Sequence, residues 1–140
     1  MACSCSGKGI FITLKVFQII CVIAAIVIYQ IKAHVMPIAN TYGGIFFCDG
    51  SLFMAIVVTP LLLIFGVLGH INGPYFEVAV NLVFGVFLIA TGSLTISLYI
   101  GARVVEPMVF GSMCIIGAIF YLGDCVRAYQ AKKNSTEIVE

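Results

Sequence analysis

Two ionisable residues, Lys15 and Asp124, lie well inside long apolar runs of this chain. Lys15 is about six residues into the first run, or ~9 Å along the axis of a helix with a rise of ~1.5 Å per residue. Asp124 lies near the end of the last run, at a comparable depth in the membrane. Ionisable residues at such a depth in a membrane are costly and are by default candidate functional residues.

Two arrangements of these residues are open from the sequence. In the first, Lys15 and Asp124 pair with each other between the first and last helices. In the second, Lys15 extends along its own helix to the lipid headgroups, and Asp124 pairs with Arg127 one helical turn later. Neither arrangement by itself implies transport.

Cys3 and Cys5 form a second candidate site, in the segment MACSCSGK a few residues before the first apolar run. Cysteines beside a membrane span are candidates for reversible palmitoylation, and Lys8 would add attraction to anionic lipid. The alternative is a pair of reduced, unmodified thiols.

Residues that could support catalysis or hold a metal do not converge in the sequence. The two histidines, His34 and His70, fall on opposite sides of a four-span chain, and so do the two aspartates, Asp49 and Asp124. A glycine-rich loop between a strand and a helix, as nucleotide binding requires, is absent from the sequence. We therefore expect no catalytic site, metal or cofactor, and the net charge of +1 gives no reason to expect nucleic acid as a partner.

The elements that position these residues are four apolar runs. The chain is 62% hydrophobic and only 9% charged, whereas soluble domains carry roughly 25% charged residues. The runs lie at about 10–31, 51–68, 78–100 and 107–126, lengths close to those that cross a ~30 Å hydrocarbon core. The sequence predicts an all-α antiparallel bundle of four transmembrane helices, a single domain over 1–140. We expect the first run to be a retained helix, since it is longer than a signal-peptide core.

The distribution of basic residues predicts the orientation. Lys8, Lys15, Arg127, Lys132 and Lys133 fall on the side of the two termini, and two others, Lys32 and Arg103, fall on the opposite side. The positive-inside rule then places the N-terminus (1–9) and the tail (127–140) in the cytosol.

Small residues predict where the helices touch. Close backbone approach drives association in lipid, and small side chains permit it. The candidate packing positions are Gly85, Gly92, Ser93, Ser97, Gly111 and Ala118. In the second run, Pro60 removes one backbone hydrogen bond and is expected to kink the helix.

The overall plan resembles that of the MARVEL group and of similar small tetraspan proteins of insects. The likeness is clearest in the last run, GSMCIIGAIFYLGDCVRAYQ, where small residues lead to Tyr121-Leu122-x-Asp124 and a basic, aromatic exit at Arg127 and Tyr129. Claudin-like proteins would carry tryptophan and a cysteine pair in a long first loop, and this chain has no tryptophan.

The resemblance implies a non-enzymatic organiser of a plasma-membrane or vesicle domain, in trafficking, membrane apposition or cell junctions. Its expected partners are the lipid bilayer and other membrane proteins, or further copies of the chain. The alternative from another class is a small transporter, or an accessory subunit of a channel or transporter.

Overall fold

The computed structural model describes residues 4–32, 42–68, 74–101 and 105–137 of the chain. These residues form four α-helices: α1 (Ser4–Lys32), α2 (Tyr42–Leu68), α3 (Pro74–Tyr99) and α4 (Val105–Glu137). Each helix contains a segment long and apolar enough to cross a membrane: Gly9–Ile31, Gly44–Leu68, Tyr75–Tyr99 and Val105–Ala131. The prediction of an all-α, four-helix membrane protein is confirmed.

The beginning of α2 differs from the prediction. We expected the second span to begin at about 51, but α2 already begins at Tyr42 and includes Gly43 and Gly44. A glycine near a helix terminus costs only about 1 kcal/mol, and the apolar residues that follow favour helix in a membrane because every backbone group is then bonded internally. Pro60 lies inside α2, which is helical throughout; the kink stays a prediction.

α3 begins before its predicted run, and α4 extends beyond its predicted run. Pro74 is the first residue of α3, a position where its missing N–H costs no hydrogen bond. At the other end of the chain, α4 continues ten residues beyond Arg127, to Glu137. The tail predicted at 127–140 is therefore largely a helical extension of the last span.

Ring contacts define the arrangement of the helices. Phe17 stacks on Phe120 with centroids 5.2 Å apart, and Tyr29 lies 6.1 Å from Phe110, which makes α1 antiparallel to α4. Neighbours in sequence also pack antiparallel, so the four helices close a ring. The first turns of α1 and α3 and the last turns of α2 and α4 share one end, called here the terminal end.

The buried positions follow a repeat of three and four residues in each helix. In α3 they are Glu77, Asn81, Phe84, Leu88, Thr91 and Thr95, and in α4 Phe110, Cys114, Gly117, Tyr121, Asp124 and Ala128. This spacing is the seam of a left-handed helical bundle. Large apolar side chains such as Ile20, Met54 and Ile119 cover the outside. Several polar residues therefore lie inside the bundle and apolar residues lie on its outer surface. This distribution is expected of a chain surrounded by lipid.

The closest approach in the bundle is between α3 and α4. A Cβ atom at Gly92 would lie 2.7 Å from the carbonyl oxygen of Gly111, and one at Gly111 would lie 2.9 Å from that of Gly92. Near the terminal end, Gly85 faces the side chain of Leu122, and Ala118 is fully buried. These four small residues lie at the helix contact, as the sequence predicts.

The prediction for Ser93 and Ser97 is wrong, because both side chains are exposed. One residue corresponds to a rotation of about 100° around a helix, so Ser93 leaves the face on which Gly92 lies. The Ser97 hydroxyl donates to the carbonyl oxygen of Leu94 at 2.9 Å within its own helix. The seam of α3 instead uses Thr91 and Thr95 at this level.

A Gly92→Ala substitution tests the close approach. The added methyl group should force α3 and α4 apart and lower the free energy of unfolding by ~1–3 kcal/mol, the usual cost of overpacking, although alanine is the better helix former. Ser93→Ala, on the adjacent exposed position, is the matched control and should change stability by less than about 0.5 kcal/mol. Unfolding in detergent followed by circular dichroism measures both. Equal stability of the two variants would contradict the contact.

Candidate functional site

Four charged side chains from α1, α3 and α4 meet near the terminal end. The Lys15 Nζ atom lies 2.8 Å from Asp124 Oδ2. Arg127 donates from Nε to Asp124 Oδ1 at 2.7 Å and from Nη2 to Glu77 Oε1 at 2.5 Å. We call these four residues the charge network. It contains two cations and two carboxylates, so its formal charge is zero.

The network contains the Lys15–Asp124 pair of the first arrangement and the Asp124–Arg127 pair of the second. Asp124 binds Lys15 through one carboxylate oxygen and Arg127 through the other. Lys15 does not extend to the headgroups, because its side chain is wholly buried. A neutralising partner within hydrogen-bond distance offsets the cost of burial and makes the longer path along the helix unnecessary.

Asn81 completes the connection between α1, α3 and α4. Its Oδ1 atom accepts a hydrogen bond from Lys15 Nζ at 2.8 Å, and its Nδ2 atom donates to Asp124 Oδ2 at 3.1 Å. One amide thus satisfies a cation and an anion together. Because Lys15 and Asp124 lie on different helices, the amide also fixes α3 against both of them.

Sequence reasoning missed Asn81 and Glu77. Glu77 lies just before the predicted third run and Asn81 lies inside it, and neither was among the candidate site residues. A signal was present: the two residues are four apart, and continuing the repeat leads through Phe84 and Leu88 to Thr91 and Thr95. A polar residue in a lipid-facing position would be costly, so that spacing indicates an inward-facing stripe.

Aromatic rings enclose the cations of the network. The ring centroid of Phe11 lies 5.9 Å from Lys15 Nζ and 4.9 Å from the Arg127 guanidinium carbon, distances within the range of cation–π attraction. The ring of Tyr121 lies 6.0 Å from Lys15 Nζ. Phe11 packs directly on Gly66, where a side chain would overlap the ring. The Phe11 ring therefore lies between α2 and the two cations of the network.

Further polar contacts continue along the bundle axis. The Thr59 hydroxyl contacts the Tyr121 hydroxyl and so joins α2 to α4. Gln18 donates from Nε2 to the Phe120 carbonyl oxygen at 3.2 Å. Its buried Oε1 atom has no hydrogen-bond partner among the described residues.

A second polar contact lies towards the opposite end of the bundle. There the Ser51 and Thr91 hydroxyls are 3.2 Å apart, and the Ser51 hydroxyl also donates to the Cys48 carbonyl oxygen at 2.9 Å. The contact between Ser51 and Thr91 joins α2 to α3, which otherwise share few contacts.

Thiols and metal ligands give no second site in the described part of the chain. Cys21, Cys48 and Cys114 are buried free thiols, and Cys125 is partly buried. In the described ranges, histidine, cysteine and acidic residues do not gather in a group of three that could hold a metal ion. The acylation candidates are not covered: Cys3 precedes residue 4, and the Cys5 side chain lies outside what the structure describes.

No family model, curated protein or solved structure matches this chain. The fold therefore stands on the four packed apolar helices, and the resemblance to the MARVEL group stays a prediction. The chemistry that the site offers is electrostatic: it holds three helices together through a neutral set of buried charges.

Asp124 binds two cations of the network, Lys15 and Arg127. We therefore expect the loss of Asp124 to cost more stability than the loss of Lys15. Asp124→Asn leaves Lys15 and Arg127 with Glu77 as their remaining carboxylate in the network, and should cost ~3–5 kcal/mol of unfolding free energy, the usual cost of an uncompensated buried charge. Lys15→Met should cost less, because Asp124 keeps Arg127 as its partner. The double variant should lose ~0.5–3 kcal/mol less than the sum of the single losses.

Detergent unfolding with circular dichroism detection measures all three variants. Lys8→Met, which removes a cation before the first span, serves as the matched control and should leave stability nearly unchanged. Strictly additive losses for Lys15→Met and Asp124→Asn would contradict the pairing.

Proposed function

We propose that this protein is a non-enzymatic organiser of a membrane domain, in which a rigid four-helix core presents its outer surface to lipids and to partner membrane proteins. The observation that carries the proposal is the neutral, mutually bonded state of the charge network. Lys15 and Asp124 are fully buried and bonded within the bundle. Their contacts join helices, so these charges support a static core.

A transport site needs groups that exchange partners during each cycle. Asp124 accepts bonds on both carboxylate oxygens, from Lys15, Asn81 and Arg127. Releasing any of these to bind a substrate would leave a buried charge unpaired, at a cost of several kcal/mol. The network therefore favours a fixed structural role over a transport cycle.

The exterior of the bundle favours interaction within the membrane. Exposed side chains such as Phe53, Val86 and Ile119 give it an apolar surface on several sides. Such a surface accommodates lipid chains and the helices of other membrane proteins or of further copies. We place the protein in the plasma membrane or a vesicle membrane, and the resemblance to the MARVEL group supports roles in trafficking, membrane apposition or cell junctions.

We also propose that both termini are cytosolic. Lys15 and Arg127 are bound in the charge network, so the positive-inside argument rests mainly on Lys8, Lys132 and Lys133. These three residues outnumber the two basic residues at the opposite end, Lys32 and Arg103.

A small transporter, or an accessory subunit of a channel or transporter, is the second candidate. The observation in its favour is the depth of the ionisable residues, since charges inside spans often mark ion or proton paths. The Oε1 atom of Gln18, which has no hydrogen-bond partner in the described part of the chain, adds an acceptor in the same interior.

Flux and localisation distinguish the two candidates. Purified protein in liposomes loaded with a pH-sensitive dye, under a potassium gradient, should give proton flux equal to that of empty liposomes. In cells, the tagged protein should concentrate in one membrane domain and co-purify with a reproducible set of membrane proteins. Flux that the wild type supports and Lys15→Met abolishes would contradict the organiser and establish the transporter. A uniform distribution without co-purifying proteins would also contradict the organiser.

A further inference from the structure

A cavity of about 250 Å³ opens between α1, α2 and α3 at the terminal end of the bundle. Apart from one acidic residue, its lining is apolar or aromatic: Phe11, Val58, Leu61, Leu62, Phe65, Gly66 and Phe76. The acidic residue is Glu77. The cavity lies where α2 and α3 share few contacts, and exposed residues such as Phe65 and Phe76 border it on the side of the membrane.

The size of the cavity limits what can fill it. A helix with its side chains is ~10 Å wide, which is the full spacing between neighbouring packed helices. A cleft between three helices of one packed bundle therefore admits a hydrocarbon chain, a single file of methylene groups, more readily than a further helix. Water is disfavoured next to such a lining, so a lipid chain is the occupant that fits.

Glu77 gives the cavity a charged end near the membrane boundary. It lies two residues after Tyr75, where the third span begins, or ~3 Å along the helix axis. Arg127 binds it through Oε1, and a carboxylate has lone pairs on both oxygens for further donors. The Arg127 side chain is itself 23% exposed, so a partly exposed cation stands beside the acidic residue of the cavity lining.

We propose that this cavity binds an ethanolamine phospholipid, with part of one acyl chain inside and the headgroup ammonium on Glu77. An ammonium donates charge-assisted hydrogen bonds to a carboxylate, and the lipid phosphate finds a complementary cation in Arg127. A choline headgroup has the same phosphate and charge but lacks N–H donors. The cavity therefore selects between two zwitterionic lipids by hydrogen bonding.

This assignment deepens the proposed organiser by naming a lipid class that it gathers. The chain contains no tryptophan. A single introduced tryptophan can therefore report, by its fluorescence, on the lipid next to it. Phe65→Trp places it on the cavity lining, and Phe53→Trp places it on the exposed surface of the same helix. Each variant is reconstituted in vesicles that contain acyl-brominated phosphatidylethanolamine or acyl-brominated phosphatidylcholine, and quenching of its fluorescence is measured.

The Phe65→Trp reporter should show about a tenfold preference for the ethanolamine lipid, equivalent to ~1.4 kcal/mol, an amount of the order that a hydrogen bond to a charged group contributes. The Phe53→Trp reporter should be quenched equally by the two lipids. Adding Glu77→Gln to Phe65→Trp should abolish the preference, so that the two lipids quench the reporter equally.

Equal quenching of Phe65→Trp by both lipids, or quenching by neither, would overturn the assignment. A preference that persists in the Glu77→Gln background, with the helical content retained, would overturn the role of Glu77. None of these outcomes depends on co-purification or flux, so failure of the lipid site and failure of the organiser are distinguishable.

Discussion

Neutralisation of charge inside a low-dielectric bundle is the constraint on which this structure depends. A cation buried in a membrane is tolerated when an anion and hydrogen-bonding groups lie within reach. Lys15 needs Asp124, and Asp124 takes a second cation, Arg127, which is balanced by Glu77. Because these residues come from three helices, satisfying the charges also fixes the relative positions of α1, α3 and α4.

The tight packing of α3 on α4 follows the same requirement. Hydrogen bonds such as that from Asn81 to Asp124 demand backbones close enough for short side chains to meet, and Gly92 and Gly111 permit that approach further along the pair. The second helix is held by fewer contacts, and the cavity at its terminal end is a consequence of that looser packing. The same molecule thus combines a fixed interior, suited to a scaffold, with one opening suited to a lipid chain.

Hydrophobicity along the chain was sufficient to predict the fold, since span length and the scarcity of charges depend on local composition alone. It also indicated Lys15, Asp124 and Arg127, because charges inside apolar runs are conspicuous. The contributions of Asn81 and Glu77 could not be weighed in the same way. Their roles depend on which face of α3 turns inwards and on the register between helices, and Ser93 was misplaced for the same reason. The helix that begins at Tyr42 includes a glycine pair, because a membrane favours a helix that bonds every backbone group internally.

A direct distance between two labelled atoms tests the account most sharply. Solid-state NMR on the protein in bilayers can measure dipolar coupling between ¹⁵N-labelled lysine Nζ atoms and ¹³C-labelled aspartate Cγ atoms. The account predicts a coupling that corresponds to direct contact, present in the wild type and absent from Lys15→Met. A wild-type spectrum without such a coupling, from protein shown to be folded and helical, would contradict it.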